Sequence, residues 1–419
     1  MSDEIGKIEV AVSSNRGDMR TESLSEPKLA RLLEVPSRES WSLEARQMLS
    51  AWAEVLGAPK YRSDVGFVSL REWLRELDGS WRAHGDSEAH SASGSGLVAH
   101  FGPSNMPLTV AISVVGAVIA GCPSVVKLSS KDSLQSTLIE QSLNELRVMN
   151  SWAAESLLPC RFSSDDSRSG TIMSENARVR AIWGSDSSVA EIRRLPTHAR
   201  CRDITFPARR SAVAIEANAV VREPDLGPLA REFFSDTMTG GQGACSSPSV
   251  IAWIGSHRSV AEAREKFWSR LEDLYVRRKW RDFGSAAERL AAVASRVDGR
   301  VPEPLVPVAG FRNFLPDIAN GFVNDLFSDV RGGVFAECGF EDLVEAVQNF
   351  DNSFQTLTVW GFDARDLSEI QSRSIPFDRV KPVGKALDFE LVWDGIDLVQ
   401  AMSQVVVIDR SLTETPEDI

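Results

Sequence analysis

The stretch MPLTVAISVVGAVIAGCPSVV, Met106 to Val126, carries no charged residue over a length that could cross a bilayer. Gly121 and Pro123 divide it, because proline cannot continue a helix and the valines beyond it favour an extended chain. The division predicts a buried helix of about four turns followed by a Val-rich strand. Its neighbours His100, Ser104 and Asn105 form no interfacial anchor, so no membrane span is expected.

Around this stretch the chain alternates. GLVAHFG reads as a strand, PSNM as a loop, PLTVAISVVGAVIAG as a helix and SVVKLSS as a strand, with a helix from about Leu134 to Asn150 after it. VRAIWGSDSSVAEIRRL repeats the pattern: a strand ends at Gly184-Ser185 and opens a helix. Such alternation builds a parallel sheet with helices on its faces. A second unit begins near RRSAVAIEA. It holds the helix LGPLAREFFSDTMT, a turn around Cys245, the strand SVIAWIG and a charged helical stretch from about Ser259 to Val297. FEDLVEAVQNF, QTLTVWGF and the closing SQVVVIDR supply a helix and two strands. Ahead of all this, Glu26 to Trp81 has helical spacing, and HGDSEAHSASGSG has the composition of a flexible connection.

At 419 residues the chain is long enough for two or three domains, and clefts between domains are where small ligands bind. A charge of −13 argues against any partner held by phosphate neutralisation, so nucleic acid is excluded. The five cysteines, Cys122, Cys160, Cys201, Cys245 and Cys338, are odd in number and contain no C-x-x-C pair. Neither a disulfide framework nor a metal site is indicated. Reduced thiols and a polar, acidic N-terminus without an apolar signal run fit a cytoplasmic protein.

Four places could carry chemistry. In TGGQGACSSPSV, Gly240, Gly241 and Gly243 let the backbone approach a ligand closely, and Ser246-Ser247-Pro248 are expected to stop the preceding helix and expose Cys245. The pattern leaves Cys245 open between nucleophile and small buried residue. Asn105 either caps the following helix or donates its amide to an oxyanion. Lys127 ends a parallel strand, where nucleotides bind and where solvated lysines are also common. Gly184-Ser185 at a strand end could hold phosphate.

The order of these elements resembles the aldehyde dehydrogenase superfamily. GLVAHFGPSNMPLTVAISVVGAVIAGCPSVVKLSSKDS, GGQGACSSPSV and FDRVKPVGKALDFELVWDGIDL are similar to the acyl-CoA reductases of bacterial bioluminescence, the LuxC type. The resemblance runs from about Gly96 to the C-terminus. It implies an α/β fold with a Rossmann-type parallel-sheet cofactor domain, a second α/β catalytic domain, and the active site in the cleft between them. The division expected is a tail, helical lead-in and linker over 1–95, a cofactor domain over 96–212 joined by the lead-in, and a catalytic domain over 213–385. A C-terminal segment, 386–419, would supply an oligomerisation strand.

The same resemblance implies residue roles. Cys245 would be the nucleophile and Asn105 the oxyanion-hole amide. Lys127, with Ser129 and Ser130 after it, would meet the adenosine ribose, and Gly184 and Ser185 the pyrophosphate. Ser130 stands where relatives that prefer NAD often carry a glutamate, which removes repulsion toward a 2′-phosphate and favours NADPH/NADP. Phe206 stands where hydrolytic relatives carry a glutamate base, so an acyl-enzyme would survive for hydride reduction. The expectation is NADPH-dependent reduction of an acyl thioester to the aldehyde. The thioester would be fatty acyl-CoA or, alternatively, one borne on an acyl carrier protein, for which the basic VRRKWR at 276–281 is a docking candidate. A partner enzyme that passes on the acyl group and a homo-oligomer fit this reading. A non-catalytic subunit with the same fold is the rival.

Overall fold

The computed structural model describes residues 24, 26–85, 92–131, 133–239, 241–278, 306–308, 311–314 and 333–407. The uncharged stretch divides as its sequence predicts. Pro107–Thr109 forms one 3₁₀ turn, Val110–Ala120 is helical with every residue buried, and Ser124–Leu128 is a strand. The helix is shorter than the four turns expected because Gly121, at φ 84°, takes the left-handed conformation that closes it. Among the described residues, no helix is long and apolar enough to cross a membrane.

Sixteen strands are described. β1 (Ala92–Gly94) precedes β2 (Val98–Phe101), β3 (Ser124–Leu128), β4 (Leu157–Arg161), β5 (Val179–Trp183) and β6 (Arg202–Phe206). The last five form one parallel sheet in the order β4-β3-β2-β5-β6. A second sheet takes β7 (Arg210–Glu216), β8 (Pro248–Ile254), β9 (Val306–Val308), β10 (Phe311–Phe314), β11 (Val334–Phe340), β12 (Phe354–Trp360) and β13 (Arg379–Pro382). Its order is β13-β12-β7-β8-β11-β10-β9, parallel except for the β9 edge. Two more strands, β14 (Val392–Trp393) and β15 (Ile396–Asp397), make a hairpin, and β16 is Ser403–Val405. Three residues, Pro207 to Arg209, join the two sheets.

One hydrophobic core surrounds Val110–Ala120. It takes Met48, Leu49 and Trp52 from the helix Leu43–Val55, Phe67, Leu70 and Leu74 from the helix Val65–Gly85, and Val126 and Val179 from the sheet. Trp393, Leu398 and Met402 come back to it from the C-terminal segment. The N-terminal helices are thus structural cover for a helix that has no polar face.

One expectation needs correction here. The stretch Ala92–Gly94 of the supposed flexible connection is strand β1, paired antiparallel with β16; residues 86–91 lie outside the described set. Small side chains there serve close packing: a Cβ on Gly94 would lie 2.6 Å from the Gly121 carbonyl oxygen. In SQVVVI, Ser403–Val405 is β16, paired with β1, and Val405, Val406 and Val407 are exposed. Of the charged helical stretch, His257–Arg278 is described and the remainder, with Lys279 to Arg281 of VRRKWR, lies outside.

Gly121 joins these pieces. Its backbone carbonyl accepts from Arg38 N–H at 2.8 Å, and a Cβ on it would stand 2.2 Å from the Arg38 carbonyl oxygen. Gly121→Ala, which adds backbone strain and overpacking together, is expected to lower stability by about 2–4 kcal/mol in urea unfolding, with the m-value unchanged.

Candidate active site

The carboxyl ends of β2, β3, β5 and β6 all open on one side of the first sheet, the side on which parallel α/β sheets bind ligands. There the segments Phe101–Met106, Lys127–Lys131, Trp183–Ser185 and Phe206–Arg209 line a cavity of about 610 Å³. Gly243, Ala244 and Cys245 close it from the second unit. All seven residues singled out from the sequence, Asn105, Lys127, Ser129, Ser130, Gly184, Ser185 and Cys245, line this one cavity.

The Cys245 loop is held by its own backbone and by buried polar contacts. The preceding helix, Gly227–Met238, ends well before the Ser-Ser-Pro sequence expected to stop it; Thr239 is already extended, and Pro248 instead opens β8. Gly241 and Gln242 are both left-handed, at φ 65° and 62°. Strain at a non-glycine such as Gln242 persists only where the surroundings over-determine it. Here the buried Gln242 donates through Nε2 to the Pro248 carbonyl at 2.9 Å and accepts from Gly333 N–H through Oε1 at 2.9 Å. Ser211 Oγ donates to the Cys245 carbonyl at 2.8 Å.

Asn105 reaches across the cleft. Its Nδ2 donates to the Gly243 carbonyl at 3.3 Å, two residues before the cysteine, so the amide is at the loop and engaged with backbone. Lys127 is half-buried at the end of β3, its ammonium 5.6 Å from the Phe162 ring centroid, and burial lowers its pKa. Ser129 Oγ accepts from Lys131 N–H at 3.1 Å. Ser185 is the N-cap of the helix Asp186–Arg193, accepting from Ser188 N–H at 3.2 Å, and Gly184 N–H donates to the Phe206 carbonyl at 3.2 Å. Phe206 is itself buried and stacks on Trp183 with ring centroids 3.9 Å apart.

The Cys245 thiol is pushed up to about 12, first by burial and then by the Asp394 carboxylate. The backbone N–H groups of Cys245 and Ser246 and the Arg379 guanidinium pull it the other way. Asp394 and Arg379 had no role assigned from sequence. Their signal was local: Asp394-Gly395 between two short extended pairs is the pattern of a two-residue hairpin. The structure has that hairpin, β14–β15, with Asp394 at φ 51° and Gly395 at φ 71°. Burial, more than any other cause, pushes the Asp394 carboxyl up to about 6. Two further carboxylates, Asp166 and Glu191, line the cavity; Asp166 caps the helix Ser167–Asn176 through Ser169 N–H at 3.0 Å.

The acyl-CoA reductase (LuxC) family model matches residues 69–287, more than half of the chain. The chain belongs to this family. No curated protein matches it. Among solved structures it is similar to Proline Utilization A from Corynebacterium freiburgense, at 13% identity and TM-score 0.64 over 88% of this chain and 40% of that one. It is similar also to an NAD-dependent aldehyde dehydrogenase from Sinorhizobium meliloti, at 16% identity and TM-score 0.61 over 88% and 82%. A third likeness is to an NAD-dependent benzaldehyde dehydrogenase from Corynebacterium glutamicum, at 13% identity and TM-score 0.61 over 90% and 87%. This chain therefore spans less than half of the first and most of the other two. The fold of this LuxC-family chain is that of the aldehyde dehydrogenases.

Asp236, on the helix that leads into the Cys245 loop, ties that helix to the segment after β13. It is buried and accepts from Gly384 N–H at 2.6 Å and Ala386 N–H at 3.0 Å. Burial pushes its carboxyl up to about 7, the two N–H groups offsetting part of that. A carboxyl raised above its unfolded value holds an extra proton in the folded state. Its contribution to stability is therefore fullest in acid and is lost as pH rises from about 4 toward about 7. Asp236→Asn should remove that slope. Between about pH 4 and about pH 8, urea unfolding should show the variant gaining on wild type by on the order of a few kcal/mol.

Proposed function

We propose that this chain reduces an acyl thioester, acyl-CoA with a fatty acyl chain, to the aldehyde with NADPH, through a covalent thioester on Cys245. The observation that carries the reading is the placement of Cys245, Asn105 and the carboxyl ends of four parallel strands on one cavity, with Phe206 and no carboxylate at the strand end beside them. Lys127, Ser129 and Ser130 would hold the adenosine ribose, and Gly184 and Ser185 the pyrophosphate. The cavity suits a dinucleotide: it opens over several strand ends, Lys127 lines it from β3, and Gly184 keeps the turn after β5 tight, since a Cβ there would stand 3.1 Å from Ser188 Cβ. When bound, NADPH supplies the hydride that takes the acyl group to the aldehyde level.

The residues of the chain do the rest. Cys245 attacks the thioester carbonyl and carries the acyl group. Asn105 turns its amide from the Gly243 carbonyl to the oxyanion, joined by the Cys245 backbone N–H. The stacked Trp183–Phe206 pair offers no base to activate water, so the acyl-enzyme persists until it is reduced.

Consumption of NADPH with a panel of acyl-CoAs of increasing chain length tests this directly. Wild type is expected to oxidise NADPH only when the thioester is present, and Cys245→Ala to lose at least about 10³-fold in rate while still binding nucleotide. Nucleotide binding without turnover on any acyl-CoA would overturn the substrate; no nucleotide binding would overturn the enzyme. Ser130→Glu, which places a carboxylate where a 2′-phosphate would sit, should shift the preference toward NADH by at least about ten-fold in the ratio of Kd values.

A further inference from the structure

We propose that Arg161 is a positioning residue that sets the nucleotide preference of the cavity: from outside the cavity it pins the turn Ser129–Lys131, which receives the 2′-phosphate of NADPH. The inference rests on the reading of that turn as the adenosine-ribose site and adds the group that fixes its shape. Arg161 ends β4, the edge strand of the first sheet, and stands in register with Leu128, the last residue of β3. The pairing of the two strands stops at that row. After it the chain runs from β3 through the turn into the helix Leu134–Met149, and from β4 into Phe162.

Three observations converge on Arg161. First, its guanidinium spans the turn and the helix that follows. Nη1 donates to the Ser129 carbonyl at 3.0 Å, Nη2 to the Ser136 carbonyl at 2.6 Å and Nε to the Glu140 carboxylate at 2.7 Å. Ser136 and Glu140 are four residues apart and so share one helix face. The Ser129 carbonyl also accepts from Ser136 Oγ at 3.5 Å. With its carbonyl so held, Ser129 lines the cavity together with Ser130 and Lys131, and its Oγ accepts from Lys131 N–H at 3.1 Å. Second, the clamp is largely buried, the side chains of Arg161 and Glu140 being 11% and 18% exposed. A buried ion pair seldom adds stability over apolar residues of the same volume, so what this one contributes is a fixed geometry. Third, the next residue holds the other wall: Phe162 lines the cavity, with its ring centroid 5.6 Å from the Lys127 ammonium, whereas Arg161 is not one of the lining residues. One strand end thus fixes both groups assigned to the ribose, the turn through its backbone and Lys127 through its charge.

The turn brings two hydroxyls and one ammonium to the cavity. A phosphate gains more from such a set than a ribose hydroxyl does, because its hydrogen bonds are charge-assisted and its attraction to the ammonium depends on their separation. NADH lacks that phosphate and relies on the parts of the cavity that Arg161 does not touch, among them Gly184 and Ser185. Loosening the turn therefore weakens NADPH more than NADH. Lysine cannot take the place of Arg161. A single ammonium has no planar fork with which to meet a turn carbonyl, a helix carbonyl and a carboxylate at once.

The test measures Kd for NADPH and for NADH by isothermal titration calorimetry on the full chain, for wild type, Arg161→Lys and Glu140→Gln. Wild type is expected to bind NADPH the more tightly. Arg161→Lys should lower the ratio of the NADH Kd to the NADPH Kd by at least about ten-fold, nearly all of it through NADPH. Glu140→Gln, which removes the charge that holds the guanidinium, should lower the same ratio by at least about three-fold. An unchanged ratio in Arg161→Lys would overturn the proposal, equal weakening of both nucleotides included, because an arginine that only supports the fold does not tell the two apart. Should that variant not fold, by circular dichroism, the ratio in Glu140→Gln decides in the same way. Wild type that binds NADH as tightly as NADPH would strike the reading of the turn as the 2′-phosphate site, and the proposal with it. Wild type that prefers NADPH beside an unchanged ratio in the variant strikes the proposal alone.

Discussion

The helix Val110–Ala120 has no polar face, and the rest of the first unit is arranged to cover it. Burying an apolar side chain is worth about 1.5–3 kcal/mol, which for a helix buried on all sides outweighs the cost of bringing distant segments together. The parallel sheet covers one side and the N-terminal helices another. The C-terminal helix Leu398–Met402 covers the last: a Cβ on Gly116 would lie 2.8 Å from Leu398 Cβ, and Cys122 Sγ donates to the Met402 carbonyl at 3.3 Å. That closure brings the chain end back, past the second sheet, to the helix that opens the cleft.

The same return sets the chemistry of the cleft. Trp393 packs in the core around Val110–Ala120, and the hairpin it belongs to carries Asp394 at its tip. Trp393 also stacks under Arg379. One apolar side chain thus anchors the hairpin in the first core and lies against the Arg379 guanidinium of the second sheet. Burial and the Asp394 carboxylate both favour the protonated Cys245 thiol, and the neighbouring backbone N–H groups and Arg379 oppose them.

Reading the chain as a string placed the helix and strand of the uncharged stretch, the strand that ends at Lys127 and the one that ends at Trp183, because each rests on local periodicity and on glycine or proline punctuation. It misplaced the end of the helix before Cys245. Ser246-Ser247-Pro248 looks like a stop signal, whereas the stop is the extended Thr239 and the left-handed pair Gly241-Gln242, held by contacts to Pro248 and Gly333. It took Ala92–Gly94 for a linker because Ala, Ser and Gly have low strand preference, and the partner that makes them a strand lies about 300 residues away at Ser403–Val405.

What the sequence by itself determined is the order of elements, the family and the set of residues that meet at one cavity, since these follow from local pattern and from motifs that neighbouring residues complete. What only the tertiary structure decided is the state of those residues. Asn105 is engaged by the Gly243 carbonyl, Ser185 by its own helix, and Cys245 by its proton. A hydrogen bond or a desolvated charge depends on atoms far off in the chain, and no window of sequence contains both partners.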